Sequence, residues 1–202
     1  MTLDSVPERQ VRAAFTDTTI IVYQAYAQPI ADAALRSGKF EPPFKRDRMT
    51  WIKPSFRWMM YRSGWATKAD QERILAIEIT RDGFEWALAN SCLSHYEPSM
   101  YGQESNWRLR KQNNPVLVQW DPERSLSLGA LDTRAIQVGL SGIAVERYVD
   151  EWIVAIKDVT RIVRKIASVV QDGALERARR QLPTEQPYPL PVEISEIIGA
   201  TR

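Results

Sequence analysis

The chain has 202 residues, a net charge of +2 and 44% apolar residues. That is the composition of a globular chain long enough to bury a core rather than of a disordered one, and no window is apolar enough to predict a transmembrane helix. One cysteine and one histidine exclude an internal disulfide, a zinc site built on several Cys or His ligands, and any catalytic triad that does not use His95.

In chain order, residues 7–15 predict a short helix with Pro7 in its first turn. Residues 18–26 are β-branched and aromatic and predict a buried strand. Residues 28–37 predict a helix with Ile30, Ala31, Ala34 and Leu35 on one face, ended by Gly38, and residues 41–43 are a break. A short strand is expected at 49–52, then a helix from Pro54 to about residue 63, stopped by Gly64. Residues 72–80 alternate and predict a strand. Residues 81–93 predict a helix that contains Gly83, and the polar stretch 94–114 predicts a long surface loop. Strands follow at 115–120, closed by a turn at 121–123, and at 134–140. A short helix is expected at 141–148 and a strand at 151–156. Thr160 then caps a helix whose Ile162, Val163, Ile166, Val169 and Val170 keep helical spacing, interrupted at Gly173. Four prolines within 183–191 predict an extended arm. Adjacent strands without long crossovers point to an α+β fold, with residues 1–182 as one globular domain and 183–202 as a Pro-rich arm. The first residues lack the basic start and apolar run of a signal peptide, so the cytoplasm is the expected location and no membrane partner is expected.

The densest chemical signal lies in residues 39–73, where nine basic residues stand against four acidic ones in a chain of net charge +2. Phe40, Phe44, Trp51, Phe56, Trp58, Tyr61 and Trp65 interleave with these charges. Cationic groups suit phosphate and aromatic faces suit bases, so the window predicts a nucleotide or single-stranded nucleic-acid surface. The spacing of Trp58, Tyr61 and Trp65 equally describes the packed face of a helix. Neither GxxxxGK[ST] nor GxGxxG occurs, so a bound nucleotide would be held by side chains and irregular backbone.

Cys92 and His95, three apart, form a candidate thiolate–imidazole dyad without an orienting third group. Cys92 reads better as a small buried hydrophobe. Glu146, Asp150 and Glu151 are candidate carboxylates. Glu151, at the start of an expected strand, would project into a cleft from a rigid anchor, and the plainer alternative is a surface acid. Lys45 or Lys53, flanked by cations, is a candidate nucleophile for nucleotidyl transfer, although no KxDG occurs. No metal site is expected.

Longer motifs then carry a resemblance. VYQAY at 22–26, PPFKRDRMTWIKPSFRWMMYRSGW at 42–65, VQWDPER at 118–124 and YVDEWIVAIKDVT at 148–160 resemble a bacterial and fungal domain-of-unknown-function family, DUF4291, which carries no agreed activity. More weakly, the chain resembles the ADP-ribosyltransferase fold. That resemblance implies two small packed β-sheets that form a cleft, with flanking helices, and NAD as the cofactor. It implies catalytic roles for Gln24, Ser55 and Glu151. Gln24 stands where that fold usually carries His or Arg, and Glu151 would stabilise the oxocarbenium-like transition state as nicotinamide leaves. It further implies that Arg48, Lys53 and Arg57 hold the pyrophosphate and that Tyr23 or Trp51 stacks on nicotinamide. The acceptor would be a nucleic acid or a protein side chain. The alternative function is a non-catalytic nucleotide- or RNA-binding module that uses residues 39–73, with lysine-dependent nucleotidyl transfer as the third.

Overall fold

The computed structural model describes residues 6–201. Its first strand, β1 (Arg12–Ala13), replaces the expected helix at 7–15. Val11 and Ala13 are buried two residues apart, which is strand spacing. Arg12 and Ala13 pair antiparallel with Pro187 and Gln186, and that pairing overrides the helix propensity of Arg9, Gln10 and Ala14. Strand β2 (Thr19–Tyr26) leads into helix α1 (Gln28–Ser37), which Gly38 ends in the left-handed region at φ 74°. Strand β3 is Thr50–Ile52.

Helix α2 (Phe56–Ser63) starts two residues later than expected. Ser55 is its cap, with the hydroxyl accepting from the Trp58 N–H at 3.1 Å, so Pro54 lies outside it. Strand β4 (Arg73–Thr80) is followed by helix α3 (Arg81–Ala89) and strand β5 (Ser91–Leu93). The expected helix at 81–93 therefore ends early. Its last residues find strand partners instead, with Cys92 opposite Leu117. The expected loop at 94–114 contains two helices, α4 (Pro98–Tyr101) and α5 (Glu104–Asn113). Helix α5 has no buried residue and so lacks the apolar stripe that announces a helix in a sequence.

Strand β6 (Val116–Arg124) runs through the expected turn at 121–123 and pairs with β7 (Ala130–Leu140). After α6 (Ile143–Arg147) comes a π-helical turn, Tyr148–Trp152, then β8 (Ile153–Asp158). Glu151 therefore sits in the π turn and not at the head of the strand. Helix α7 (Thr160–Gln171) starts after Val159, which makes no side-chain capping bond, and the preceding Asp158 accepts from the Thr160 N–H at 2.8 Å. The Thr160 hydroxyl instead accepts from the Ile74 N–H at 2.9 Å and ties the helix to β4. Helix α8 (Leu175–Arg179), strand β9 (Gln186–Pro187) and helix α9 (Val192–Ile198) complete the described chain.

The strands form a three-stranded sheet in the order β2-β4-β8, a four-stranded sheet in the order β3-β7-β6-β5, and the β1-β9 pair. Alternate residues of the three-stranded sheet enter different cores. Ile20, Val22, Leu75, Ile77 and Ile79 join the larger core with α1, α3 and the inner face of the four-stranded sheet. Tyr23 and Ile74 face a second core under α2, α7 and α8. Burial on both sides explains why β2 is apolar nearly throughout. The segment after Leu182 packs on the same chain, with Tyr188, Ile194 and Ile198 inside the larger core. Among the described residues no helix is long and apolar enough to cross a membrane.

Candidate ligand-binding cleft

The two larger sheets meet at their edge strands. The Tyr23 N–H donates to the Lys53 carbonyl at 2.8 Å, an isolated antiparallel bridge between β2 and the residue after β3. A cleft opens beside this joint. Its floor is one face of the four-stranded sheet. Trp51 is opposite Gly139 and Gln137 opposite Gln119, and directly paired residues share a face. A Cβ at Gly139 would lie 2.9 Å from the Trp51 ring, so only glycine lets that indole lie across β7. The wall is α2. Its Phe56, Met59 and Met60 enter the second core, while Trp58, Tyr61 and Arg62, on the adjacent face, line the cleft.

This space is a cavity of about 510 Å³ that also takes in Asp121 and Arg124. A second cavity of about 250 Å³, bordered by Gln24, Tyr26, Met49 and Thr50, shares Trp51, Lys53 and Arg62 with it. A third, of about 320 Å³, adds Lys45 and Arg48 and shares Tyr26, Met49 and Thr50 with the second.

Lys53 stands where the first two cavities join. Its side chain is buried, and its Nζ donates to the Trp51 carbonyl at 3.0 Å and lies 5.6 Å from the Trp58 ring centre. Burial, reinforced by the Arg62 cation, pulls its pKa down to about 7, and Asp121 opposes this. Asp121 accepts from Gln119 Nε2 at 2.9 Å and from Gln137 Nε2. Arg124 stacks on Tyr61 with the guanidinium carbon 3.6 Å from the ring centre. Two buried N–H groups here, Trp58 Nε1 and Arg124 Nε, have no acceptor among the described residues. Such groups are few in folded proteins and each costs about 1–3 kcal/mol.

A family model for the domain of unknown function DUF4291 matches residues 10–188, a span that contains the whole cleft. The chain belongs to the DUF4291 family. No curated protein matches it.

In this DUF4291 chain the expected site residues are dispersed. Gln24, Trp51 and Lys53 line the joined cavities, and Arg48 lines the third. Gln24 is buried between the sheets. Its Nε2 donates to Thr50 Oγ1 at 2.7 Å and to the Trp51 carbonyl at 3.1 Å, and its Oε1 accepts from the Tyr148 hydroxyl at 2.8 Å. Both N–H groups are thus used to brace β3. Tyr23 is buried in the second core, packed edge-on against Phe56. Ser55 and Arg57 border a separate cavity of about 30 Å³ together with Glu123, to which the Ser55 hydroxyl donates at 2.6 Å. Glu151 is exposed and pairs with Arg147 at 3.0 Å. Gln24, Ser55 and Glu151 share no cavity and no hydrogen bond with one another. Among the other carboxylates, Glu146 is exposed and Asp150 pairs with Arg46 at 2.9 Å.

Cys92 is buried in β5 and its thiol donates to the Leu93 carbonyl, with burial pushing its pKa up, while His95 bonds Ser94. No Cys–His dyad forms. The sequence reading missed Gln119, Asp121, Arg124 and Gln137. The first three lie in VQWDPER, but their convergence needs a register irregularity between Pro122 and Arg124, which turns Arg124 toward the face that Asp121 occupies.

Proposed function

We propose that this DUF4291 chain binds a dinucleotide of the NAD type in the cleft where its two sheets meet. The observation that carries this reading is the lining of one cavity by three cations, Lys53, Arg62 and Arg124, beside three aromatic rings, Trp51, Trp58 and Tyr61. Phosphate oxygens suit the cations, and nucleobase or nicotinamide rings suit the aromatic faces. Two lobes joined at Trp51, Lys53 and Arg62 suit a ligand with a nucleoside in each lobe and a pyrophosphate at the waist. Trp51, spread over Gly139, offers a flat platform for a ring. The meeting of two small sheets beside the cleft agrees with the ADP-ribosyltransferase-like resemblance. Transfer of ADP-ribose to a nucleic acid or protein acceptor is the activity that resemblance implies, and Asp121 is the carboxylate in position to serve it, since Glu151 is outside the cleft.

Calorimetric titration of the full chain with NAD⁺ tests the reading. Saturable binding is expected, weakened about tenfold or more in Arg124→Gln by loss of a charge-assisted hydrogen bond and unchanged in Glu151→Gln. Absence of binding by NAD⁺, ADP-ribose and AMP alike would overturn it.

A second reading has its own support. The third cavity extends the groove past Met49 and Thr50 toward Lys45 and Arg48. A single strand of RNA or DNA laid along it would bind with affinity that falls steeply as salt rises. A short oligonucleotide that binds more tightly than NAD⁺ at low salt would favour this reading.

A further inference from the structure

Lys53 differs from the other cations of the cleft in burial: its side chain is enclosed, while Lys45, Arg48 and Arg62 are exposed and Arg124 is half-buried. Among the described residues no carboxylate forms an ion pair with it, and the one acceptor bonded to Nζ is the Trp51 carbonyl. A charged ammonium has three hydrogens to place, whereas a neutral amine can donate one to Trp51 and present its lone pair to the cavity. The backbone around it is held on both sides, by the Tyr23 bridge and by the β3–β7 pairing. The amine stands at the waist that joins the two lobes. If the dinucleotide reading holds, and this inference rests on it, the waist is where the pyrophosphate lies.

We propose that Lys53 is a nucleophile toward phosphorus, attacking the adenylyl phosphate of a bound dinucleotide or nucleoside triphosphate to give a covalent nucleotidyl-lysine. A bond forms between Nζ and phosphorus, and the bond from that phosphorus to the bridging oxygen breaks. The bonding pair leaves with nicotinamide mononucleotide or with pyrophosphate, and the amine releases one proton to water. No oxidant or reductant is involved. Arg62 and Arg124, on the walls of the same space, carry the positive charge that a crowded phosphoryl centre needs. The burial that holds the Lys53 pKa at about 7 keeps a large share of the amine neutral near neutral pH. Lys45, the other lysine of this kind in the sequence, is exposed at the far cavity.

The experiment is incubation of the full chain with NAD⁺ or ATP and magnesium, followed by intact-mass measurement, peptide fragmentation and analysis of the released product. The expected result is one acid-labile AMP group per chain, on Lys53, with release of nicotinamide mononucleotide or pyrophosphate. Lys53→Arg removes the nucleophile. It should form no adduct, and Lys53→Met should also form none, both keeping a folded circular dichroism spectrum. NAD⁺ binding measured in parallel with no adduct from either nucleotide would overturn the inference and leave the binding reading standing. Release of nicotinamide with an ADP-ribosyl adduct would overturn it in favour of glycosyl transfer. An adduct on surface lysines that persists in Lys53→Arg would overturn it as well. Failure of NAD⁺ to bind at all would remove the binding reading and this inference with it.

Discussion

Two titratable residues, Lys53 buried and Glu185 half-buried, give the molecule opposite responses to pH. Lys53 is held near 7 from an ordinary value of 10.5 by burial and the Arg62 cation. Glu185, whose carboxylate accepts from the Phe56 N–H at 2.6 Å at the start of α2, is raised by burial, with Glu123 adding to it, from 4.5 to about 7. For Glu185 the native chain holds the proton longer than the unfolded chain, so stability falls as pH rises between about 4.5 and 7. For Lys53 the unfolded chain holds the proton longer, so stability rises between about 7 and 10.5. Urea unfolding from pH 5 to 10 should therefore show these two groups producing a minimum near neutrality. Lys53→Met should gain about 2 kcal/mol or more at pH 7, because one pKa unit is worth about 1.4 kcal/mol, and it should flatten the alkaline limb. Glu185→Gln should flatten the acid limb. A Lys53→Met chain less stable than the parent at pH 7 would contradict this account. The burial of neither residue is legible in local sequence, since it depends on elements up to 129 positions away, as the Phe56–Glu185 bond shows.

Among the elements, α3 and the π turn depend on each other. Gly83 lies where a Cβ would stand 2.3 Å from the Trp152 ring. Trp152 belongs to the same five-residue turn that sends the Tyr148 hydroxyl inward to Gln24. Helix propensity alone favours alanine over glycine by about 1 kcal/mol. Gly83→Ala should nevertheless destabilise the chain by about 1–3 kcal/mol through overpacking, read as a lower urea midpoint. In the cleft, Gly139→Ala should push Trp51 off the sheet and weaken NAD⁺ binding, with calorimetry as the measurement. The same elements mark how far local pattern reaches. The alternation in β4 and the apolar spacing of α7 survive in the fold because one face of each is buried. Helix α5 and strand β5 were hidden, the first for want of a buried stripe and the second because its partner, β6, lies a whole segment downstream. At α2 the spacing of Trp58, Tyr61 and Trp65 left two readings open, a packed face and a ligand surface. Trp58 and Tyr61 line the cleft while Phe56, Met59 and Met60 form the packed face.

For the whole molecule, the Pro-rich segment is part of the body. It crosses β1, seats Tyr188 in the larger core, and returns as α9, where the Ile198 carbonyl accepts from Trp120 Nε1 at 2.7 Å. The Thr201 N–H donates to the Arg9 carbonyl at 2.9 Å and closes the C-terminal end against the N-terminal one. Truncation after Leu182 removes three large side chains from that core, each worth about 1.5–3 kcal/mol when buried. The truncated chain should lose cooperative thermal unfolding or melt well below the parent. An unchanged melting curve would show the segment to be dispensable.

By itself the amino-acid sequence determined the α+β class, the strand and helix periodicities, the concentration of cations and aromatic rings in 39–73, and the exclusion of disulfides and multi-Cys or multi-His zinc sites. These depend on composition and on contacts a few residues apart. Only the tertiary structure decided which of those residues share a space. It drew Asp121, Arg124 and Gln137 to Lys53 through the pairing of β3, β7 and β6 and the irregularity after Pro122, and it left Glu151 on an exposed turn. The physical reason is that periodicity settles which side of its own element a residue occupies, while the neighbour on that side is supplied by strand pairing between distant parts of the chain.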